Sequence, residues 1–240
     1  MFLERLAVAV TVAAAVERYG PARTTMADPA LVELTVSPHS DEADRARALR
    51  LLGFAADRPV HALAVRSELP LDRIGTALCP AHPVKAAPLA GVGVVLAAAV
   101  DPARIPAGVR AGIGCAGSPD ASWRQARTAL RFTTPREPVV RHADLGALAL
   151  LAETPADALR ENPDVAAVAR VAACPDDLET LDAYCATGSL RRAAEFLHLH
   201  HGSVARRVEQ IGRALGIDLG GPAGLLRARL ALTAWRLGQD

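Results

Sequence analysis

The sequence has almost no excess charge of either sign. Its 27 lysine and arginine residues nearly balance 26 aspartate and glutamate residues, which leaves a net charge of +1. No overall field therefore favours nucleic acid, a membrane surface or an acidic ligand, and any electrostatic argument has to rest on a local cluster. Lysine itself is nearly absent, because Lys85 is the only one in the chain.

Cysteine is scarce and carries no recognisable pattern. Cys79, Cys115, Cys174 and Cys185 are widely spaced and form no C-x-x-C pair. This spacing suggests neither a disulfide framework nor a zinc knuckle, and a reducing cytoplasm is the expected compartment. The opening stretch, MFLERLAVAVTVAAAVERYG, has no cleavage site and is too short to span a bilayer. We predict that it forms a helix that packs on the body of the protein or on a second copy.

Motifs of known catalytic centres are missing as well. The chain has no G-x-S-x-G elbow, no H-E-x-x-H and no P-loop, and no carboxylate pair lies at helical spacing in an apolar run. Cys79 and His82 form a C-x-x-H pair, but no second pair at ligand spacing completes a zinc site. The sequence therefore predicts a protein that is not an enzyme and that holds no metal and no cofactor.

Hydrophobic periodicity divides the chain into parts. Short β-rich runs at residues 60–65, 91–98 and 109–114 alternate with helical stretches such as SPDASWRQARTALRF. Upstream, Ser40 is a candidate N-cap for a helix that ends near Leu52. The prediction is an α+β protein with an N-terminal helix and connector (1–57), an α/β domain (58–152), a proline-punctuated helical linker (153–175) and an all-helical domain (176–240).

The stretch GIGCAG matches the G-x-G-x-x-G pattern of dinucleotide sites at Gly112, Gly114 and Gly117. In such a site the helix begins inside the glycine loop, so that its free N–H groups face the pyrophosphate. Here Ser118 and Pro119 predict a helix that begins after the loop, as an N-cap and a first-turn proline would. A nucleotide- or dinucleotide-binding protein that uses residues 112–117 is nevertheless kept as an alternative.

The sequence of the C-terminal tail, residues 176–240, predicts two helices joined by a tight turn. A first helix closes at Gly188, and Ser189 caps the next, whose apolar residues recur at i, i+3, i+4 and i+7. After HLHHG, Ser203 is a candidate cap for a third helix with an inward stripe from Val204 to Leu215. The neighbouring His200 and His201 lack a cysteine or carboxylate that would complete a tetrahedral metal site.

Arginine is concentrated on this part of the chain. Residues 189–215 contain five arginines and two glutamates, a local net charge of +3. A helix-turn-helix places its second helix in the major groove and needs flanking arginine or hydroxyl groups to hold the phosphate backbone. Ser203, Arg206 and Gln210 suit base edges, whereas Arg207 lies on the flank toward the phosphates. The candidate DNA-binding residues are Ser203, Arg206, Arg207, Gln210, Arg213, His200, His201, Arg191 and Arg192. A three-helix protein-interaction module without a DNA role remains the other alternative.

The tail resembles the C-terminal helix-turn-helix of PucR/CdaR-type bacterial transcriptional regulators. The resemblance spans the leader at residues 177–184 and continues through LGIDL and RLALTAWRL. Between these segments the matching positions are Gly188, Ser189, Ala193, Ala194, Leu197, His200, Ser203, Arg207 and Ile211. Gly202 replaces the usual Asn and Ser203 the usual Thr, which weakens the turn. The resemblance implies a cytoplasmic regulator that binds double-stranded DNA. We also expect a homodimer, because one helix-turn-helix covers only part of an operator.

The middle region resembles the degenerate GGDEF-like domain that such regulators carry upstream. GIGCAG…SWRQARTALRF is similar to its G-x-G…S-x-x-x-A-x-x-A segment. LAGVGVVLA stands where a diguanylate cyclase has its signature hairpin, without the acidic residues that hold Mg²⁺ and GTP. The resemblance implies a catalytically inactive, ferredoxin-like domain for regulation or self-association. Residues 1–20 already look like the helix that would follow a sensor domain, so either the protein is a short form or a sensor for an unidentified small-molecule effector lies elsewhere.

Overall fold

The computed structural model describes residues 26–78 and 83–239 of the chain. They form two compact units that divide after Gly146, the first mixed helix and sheet and the second helical. The helix predicted over residues 1–20 and the pair formed by Cys79 and His82 lie outside the described residues. An α+β architecture with a C-terminal helical region is confirmed.

The first unit is built on a five-stranded sheet. Its strands are β1 (His61–Arg66), β2 (Val84–Leu89), β3 (Val92–Ala97), β4 (Arg110–Ile113) and β5 (Val139–Arg141). Its helices are α1 (Pro29–Val36), α2 (Glu42–Leu51), α3 (Leu71–Leu78), α4 (Pro119–Arg131) and α5 (His142–Leu145), with a 3-10 turn at Pro102–Arg104.

The strand order is β2-β3-β1-β4-β5. β1 pairs antiparallel with β3 on one side, where Leu63 lies opposite Val95, and with β4 on the other, where Leu63 lies opposite Ile113; β4 and β5 are parallel. The first four strands have the order and directions of a ferredoxin-like sheet. The helix expected between β3 and β4 in that fold is reduced here to the 3-10 turn.

Both faces of the sheet are covered. Ala62 and Ala64 of β1 pack in one core with α1, α2 and α4, whereas Leu63 and Val65 pack in a second core with α3. A strand buried on both faces needs no alternation of apolar and polar residues. This burial explains why β1 reads as the continuous run HALAV.

One local expectation fails in the first unit, and one strand was not predicted. Asp41, not Ser40, caps α2: its carboxylate accepts from the Asp44 N–H at 2.7 Å, and the helix dipole favours a negative charge there. β2 escaped prediction because VKAAPL has low strand propensity. Its Pro88 is tolerated because β2 lies at the edge of the sheet.

The glycines of GIGCAG serve helix packing. A Cβ on Gly112 would lie 2.1 Å from the Ala126 carbonyl oxygen, and one on Gly114 would lie 1.9 Å from that of Ser122. These glycines therefore let α4 approach β4 closely, and the Ser122 hydroxyl accepts a hydrogen bond from the Ala62 N–H at 2.8 Å. As predicted, α4 begins at Pro119, after the glycine loop.

The second unit contains six helices among its described residues. They are α6 (Ala156–Glu161), α7 (Pro163–Val171), α8 (Pro175–Thr187), α9 (Leu190–Leu197), α10 (His201–Leu215) and α11 (Pro222–Leu237), preceded by a 3-10 stretch at Gly146–Glu153. Val168 and Val171 of the predicted linker belong to the same core as α8 to α11. This part of the chain thus packs with the helical tail, while the finer domain boundaries remain a prediction.

Candidate nucleic-acid interface

The first junction of the helical tail forms at the predicted residues. α8 ends at Gly188, whose φ of 64° is the left-handed conformation that glycine adopts without strain. Its N–H donates to the Tyr184 carbonyl at 2.8 Å. Ser189 then caps α9, and its hydroxyl accepts from the Arg192 N–H at 3.5 Å. The exit of α8 and the start of α9 are therefore set by two adjacent residues.

The turn between α9 and α10 differs from the prediction. α9 ends at His198, which takes a φ of 53°, and the Leu199 N–H donates to the Ala194 carbonyl at 3.0 Å. His200 is the N-cap of α10, since its Nδ1 accepts from the Gly202 N–H at 3.1 Å. The predicted cap at Ser203 is wrong, because the imidazole nitrogen of His200 satisfies a free N–H earlier and the helix begins at His201.

The inward stripe of α10 is confirmed. Val204, Val208, Ile211 and Leu215 are all buried, and Ala193 and Ala194 of α9 are buried beside them. Small side chains on α9 leave room for neighbouring helices to cross closely. The two helices of the motif therefore share one core, and the opposite face of α10 is left to solvent.

The exposed face of α10 carries four of the predicted site residues. Ser203, Arg206, Gln210 and Arg213 are exposed. At ~100° per residue they occupy the sector opposite the buried stripe. Within residues 26–78 and 83–239, Arg206 takes part in no hydrogen bond or ion pair through its side chain. Its guanidinium is therefore available to a ligand.

Other predicted arginines sit in ion pairs on the surface. Arg191 lies 3.1 Å from Glu195 and Arg213 lies 3.7 Å from Glu209, both at i,i+4 spacing on exposed helix faces. Pairs of this kind contribute about 0.3–0.5 kcal/mol and are screened by salt. A phosphate group can replace the glutamate at little cost, so these pairs do not remove the arginines from the candidate interface.

Arg207 is different, because it joins two helices. Its Nη2 lies 3.0 Å from a carboxylate oxygen of Asp176 at the start of α8, and its side chain is 31% exposed. The sequence placed Arg207 on the flank of the interface but did not reveal this partner. Its guanidinium is thus shared between a structural contact and any phosphate contact.

Three arginines of α11 stabilise the unit itself, a role that the sequence did not predict. Arg229 donates to the Cys185 carbonyl, Arg236 lies 2.7 Å from Asp182, and Arg227 donates to both carboxylate oxygens of Asp164 at 2.5 and 2.6 Å. Hydrogen bonding from Arg227 lowers the pKa of Asp164. No local pattern could reveal these pairs, because their partners are 44, 54 and 63 residues away.

The predicted histidines gather at the turn. His198, His200 and His201 are all exposed. Throughout the described parts of the chain, no three histidine, cysteine, aspartate or glutamate side chains are grouped to hold a metal ion. His200 acts as a cap, and His201 lies in the first turn of α10, on the side from which a helix-turn-helix approaches DNA.

Comparison with known proteins identifies the motif. Residues 177–234 match the family described as PucR C-terminal helix-turn-helix domain. The second unit contains a PucR-type helix-turn-helix domain. In this PucR-type domain, α9 and α10 are the two helices of the motif.

Other comparisons add little to this assignment. The chain is similar to the crystal structure of a regulator of polyketide synthase expression from Bifidobacterium adolescentis, at 20% identity and a TM-score of 0.37, over 89% of this chain and 100% of that one. A TM-score this low does not establish a common fold over that length. A search of curated proteins finds no match. Among the residues that the structure describes, no helix is both long and apolar enough to cross a membrane.

Proposed function

We propose that the chain is a sequence-specific DNA-binding transcriptional regulator that inserts α10 into the major groove. The observation that carries this proposal is the exposed face of α10 in the PucR-type domain, where Arg206 is left without a partner within the described residues. A helix-turn-helix presents this face of its second helix to base edges.

The side chains on that face suit base recognition. Ser203, Arg206 and Gln210 follow one another along successive turns of α10. Arginine pairs in bidentate fashion with guanine, and glutamine with adenine, whereas serine bonds to either. We therefore assign these three residues to base edges, with Arg206 as the main source of specificity.

The remaining predicted residues surround this face and suit the phosphate backbone. Arg191 and Arg192 lie on the exposed side of α9, the helix that crosses the backbone in this motif, and Arg213 lies near the end of α10. His200 and His201 lie at the turn between α9 and α10. These residues would fix the orientation of α10 without reading sequence, as phosphate contacts do.

The first unit is proposed to be a catalytically inactive GGDEF-like domain. Support comes from the β2–β3 hairpin, whose two turn residues Ala90 and Gly91 have φ of 49° and 80°. Leu71 fills the space over this hairpin, since a Cβ on Gly93 would lie 2.3 Å from its Cδ2. The hairpin carries no acidic residue for Mg²⁺. We therefore expect no conversion of GTP to a cyclic dinucleotide.

A homodimer and a cytoplasmic location complete the proposal. One recognition helix covers only part of an operator, and symmetric pairs of such helices commonly bind two half-sites one helical turn apart. The first unit would serve self-association or regulation by an effector that is still to be identified.

Binding to random duplex DNA as a function of salt tests the proposal. A labelled random-sequence duplex should bind with an affinity that falls steeply as salt rises, because bound phosphates release counterions. A duplex selected from a random pool should then bind more tightly at equal salt. If neither duplex binds at low salt, the protein-interaction alternative replaces the proposal.

A further inference from the structure

A cavity of about 300 Å³ opens at one end of the sheet in the first unit. It lies where β4 and β5 end and β1 begins, and β4 and β5 are the parallel pair of the sheet. In α/β proteins, ligands commonly bind in crevices outside the carboxyl ends of parallel strands. The volume matches the lower range of small-molecule sites. Neither the PucR-type domain nor the hairpin of the first unit contributes to this cavity.

The walls of the cavity are mainly apolar. Val100 and Pro102 line it from the segment after β3, Ile113 from β4 and Ala143 from α5. A mostly apolar lining with a few polar groups is typical of sites for small organic ligands.

His61 supplies one polar group with a defined tautomer. Its Nδ1 lies 2.9 Å from the Gly114 carbonyl oxygen. Because a carbonyl oxygen can only accept, Nδ1 carries the hydrogen, and Nε2 of the neutral ring is left as an acceptor. A ligand hydroxyl can donate to that nitrogen.

Arg141 supplies the second polar group. Its Nε and Nη2 lie 3.1 and 3.2 Å from the two carboxylate oxygens of Asp144 in an ion pair at i,i+3 spacing, and its side chain is 54% exposed. A guanidinium has five N–H donors, so this pair leaves the donors of Nη1 for a ligand. Such donors form charge-assisted hydrogen bonds with carboxylates.

We propose that this cavity binds a small hydroxy-carboxylic acid. The carboxylate would accept from Arg141, the hydroxyl would donate to His61 Nε2, and the apolar body would lie between Ile113 and Ala143. This site is independent of DNA binding by the PucR-type domain, and it would give the first unit a ligand of its own.

The reactivity of Cys115 can report ligand binding, because this partly exposed free thiol lines the same cavity. The probe is 4-hydroxybenzoate, and alkylation by iodoacetamide is followed at each cysteine by peptide mass analysis. We expect saturable protection of Cys115 by 4-hydroxybenzoate and much weaker protection by 4-hydroxybenzamide, which lacks the charge. Cys174, exposed in the other unit, should react at an unchanged rate and controls for reagent consumption.

Two variants and a matched control decide the result. Arg141→Gln should weaken protection by roughly tenfold or more, as expected for loss of a charge-assisted hydrogen bond. Arg124→Gln removes a comparable arginine, 63% exposed and 3.4 Å from Asp120, and should leave protection unchanged. Ala143→Trp should fill the cavity and abolish protection without touching the polar groups. Equal protection by the amide, no effect of Arg141→Gln, or no protection at millimolar probe in a folded protein would each overturn the proposal.

Discussion

Arg206 and Arg207 are adjacent in the sequence but lie in different surroundings. Arg206 is exposed and without a partner among the described residues, whereas Arg207 is partly buried against Asp176. Neighbouring residues on a helix are ~100° apart, so one can face the groove while the other faces the protein. Their substitutions should therefore give different phenotypes.

Arg206→Ala should reduce affinity for a selected operator by about 1–3 kcal/mol and relax the base preference at one position, as expected for a lost base-edge contact. Thermal unfolding should be nearly unchanged, because the side chain is exposed and makes no hydrogen bond or ion pair within the described residues. Repeating the selection from random DNA with the variant checks both points. Unaltered sequence preference would remove Arg206 from the base-reading set and leave Ser203 and Gln210.

Arg207→Ala should weaken binding to all duplexes similarly and lower the slope of log affinity against log salt by about one. It should also cost up to about 1 kcal/mol of stability, the usual value of a partly exposed ion pair. Asp176→Asn separates the two effects, because it breaks the pair but leaves Arg207 free for phosphate. If Asp176→Asn weakens DNA binding as much as Arg207→Ala does, the role of Arg207 is structural.

Cys185 lies in the core of the PucR-type domain, and burial raises the pKa of its thiol to about 11 from 9.0. In the unfolded chain the thiol ionises first, so the stability that it contributes is present below pH 9 and is lost as pH rises toward 11. A difference of about two pKa units corresponds to roughly 3 kcal/mol. Urea unfolding from pH 8 upward should therefore show a decline that is smaller in Cys185→Ala. If the free energy of unfolding declines equally with pH in the parent and in Cys185→Ala, the assigned role of the Cys185 thiol is wrong.

At the scale of single elements, β4 and α4 depend on the absence of side chains at two glycines. Gly114→Ala should destabilise the first unit by at least ~1–3 kcal/mol, because its Cβ would overlap the backbone of α4. Gly117→Ala is the matched control, since no atom lies within 4 Å of the position that a Cβ would take there and its φ is not positive. Urea unfolding measures the stability of both variants. Equal stability of the two variants would contradict the packing role.

The Gly117→Ala variant also separates a packing role of the glycines from nucleotide binding. If the glycines served a dinucleotide, NAD would bind to the parent and be lost in Gly117→Ala, which leaves packing intact. The packing role predicts no saturable NAD binding to the parent. A variant at Gly114 cannot make this distinction, because it disturbs the fold itself.

Local signals explain which elements the sequence could predict. The junction at Gly188 and Ser189, the stripe on α10 and the start of α4 all follow from caps and periodicity within a few residues. The sequence does not indicate the true start of α10, because histidine is an uncommon N-cap, nor does it indicate β2, because alanine and Pro88 have low strand propensity.

Contacts between distant segments explain what the sequence could not predict at the candidate site. Residues on the exposed face of α10 could be named from periodicity alone. The pairing of Arg207 with Asp176 could not, because 31 residues separate them. The cavity at the end of the sheet cannot be predicted for the same reason, since its lining residues include His61 of β1, Ile113 of β4 and Arg141 of β5, which meet only after folding.

For the molecule as a whole, the charge is balanced but unevenly placed. A net charge of +1 coexists with a local net charge of +3 over residues 189–215. Ion pairs hold Arg227 and Arg236 of α11 within the second unit, whereas the arginines of α9 and α10 lie at its surface, some of them in exposed ion pairs. Electrostatic attraction to DNA should therefore be confined to one face of that domain.

Self-association is predicted to depend on residues 1–20, because in the helix that the sequence predicts there, Leu3, Leu6 and Val10 with the alanines around them would form an apolar face that needs a partner. Sedimentation of the full chain should show a dimer, and a chain that lacks residues 1–20 should dissociate more readily. The shorter chain should bind a two-half-site operator more weakly, while a single half-site should bind both proteins alike, because the recognition helix is unchanged. If the shorter chain remains equally dimeric, residues 1–20 pack on the body of the same chain, and the two copies associate through another surface.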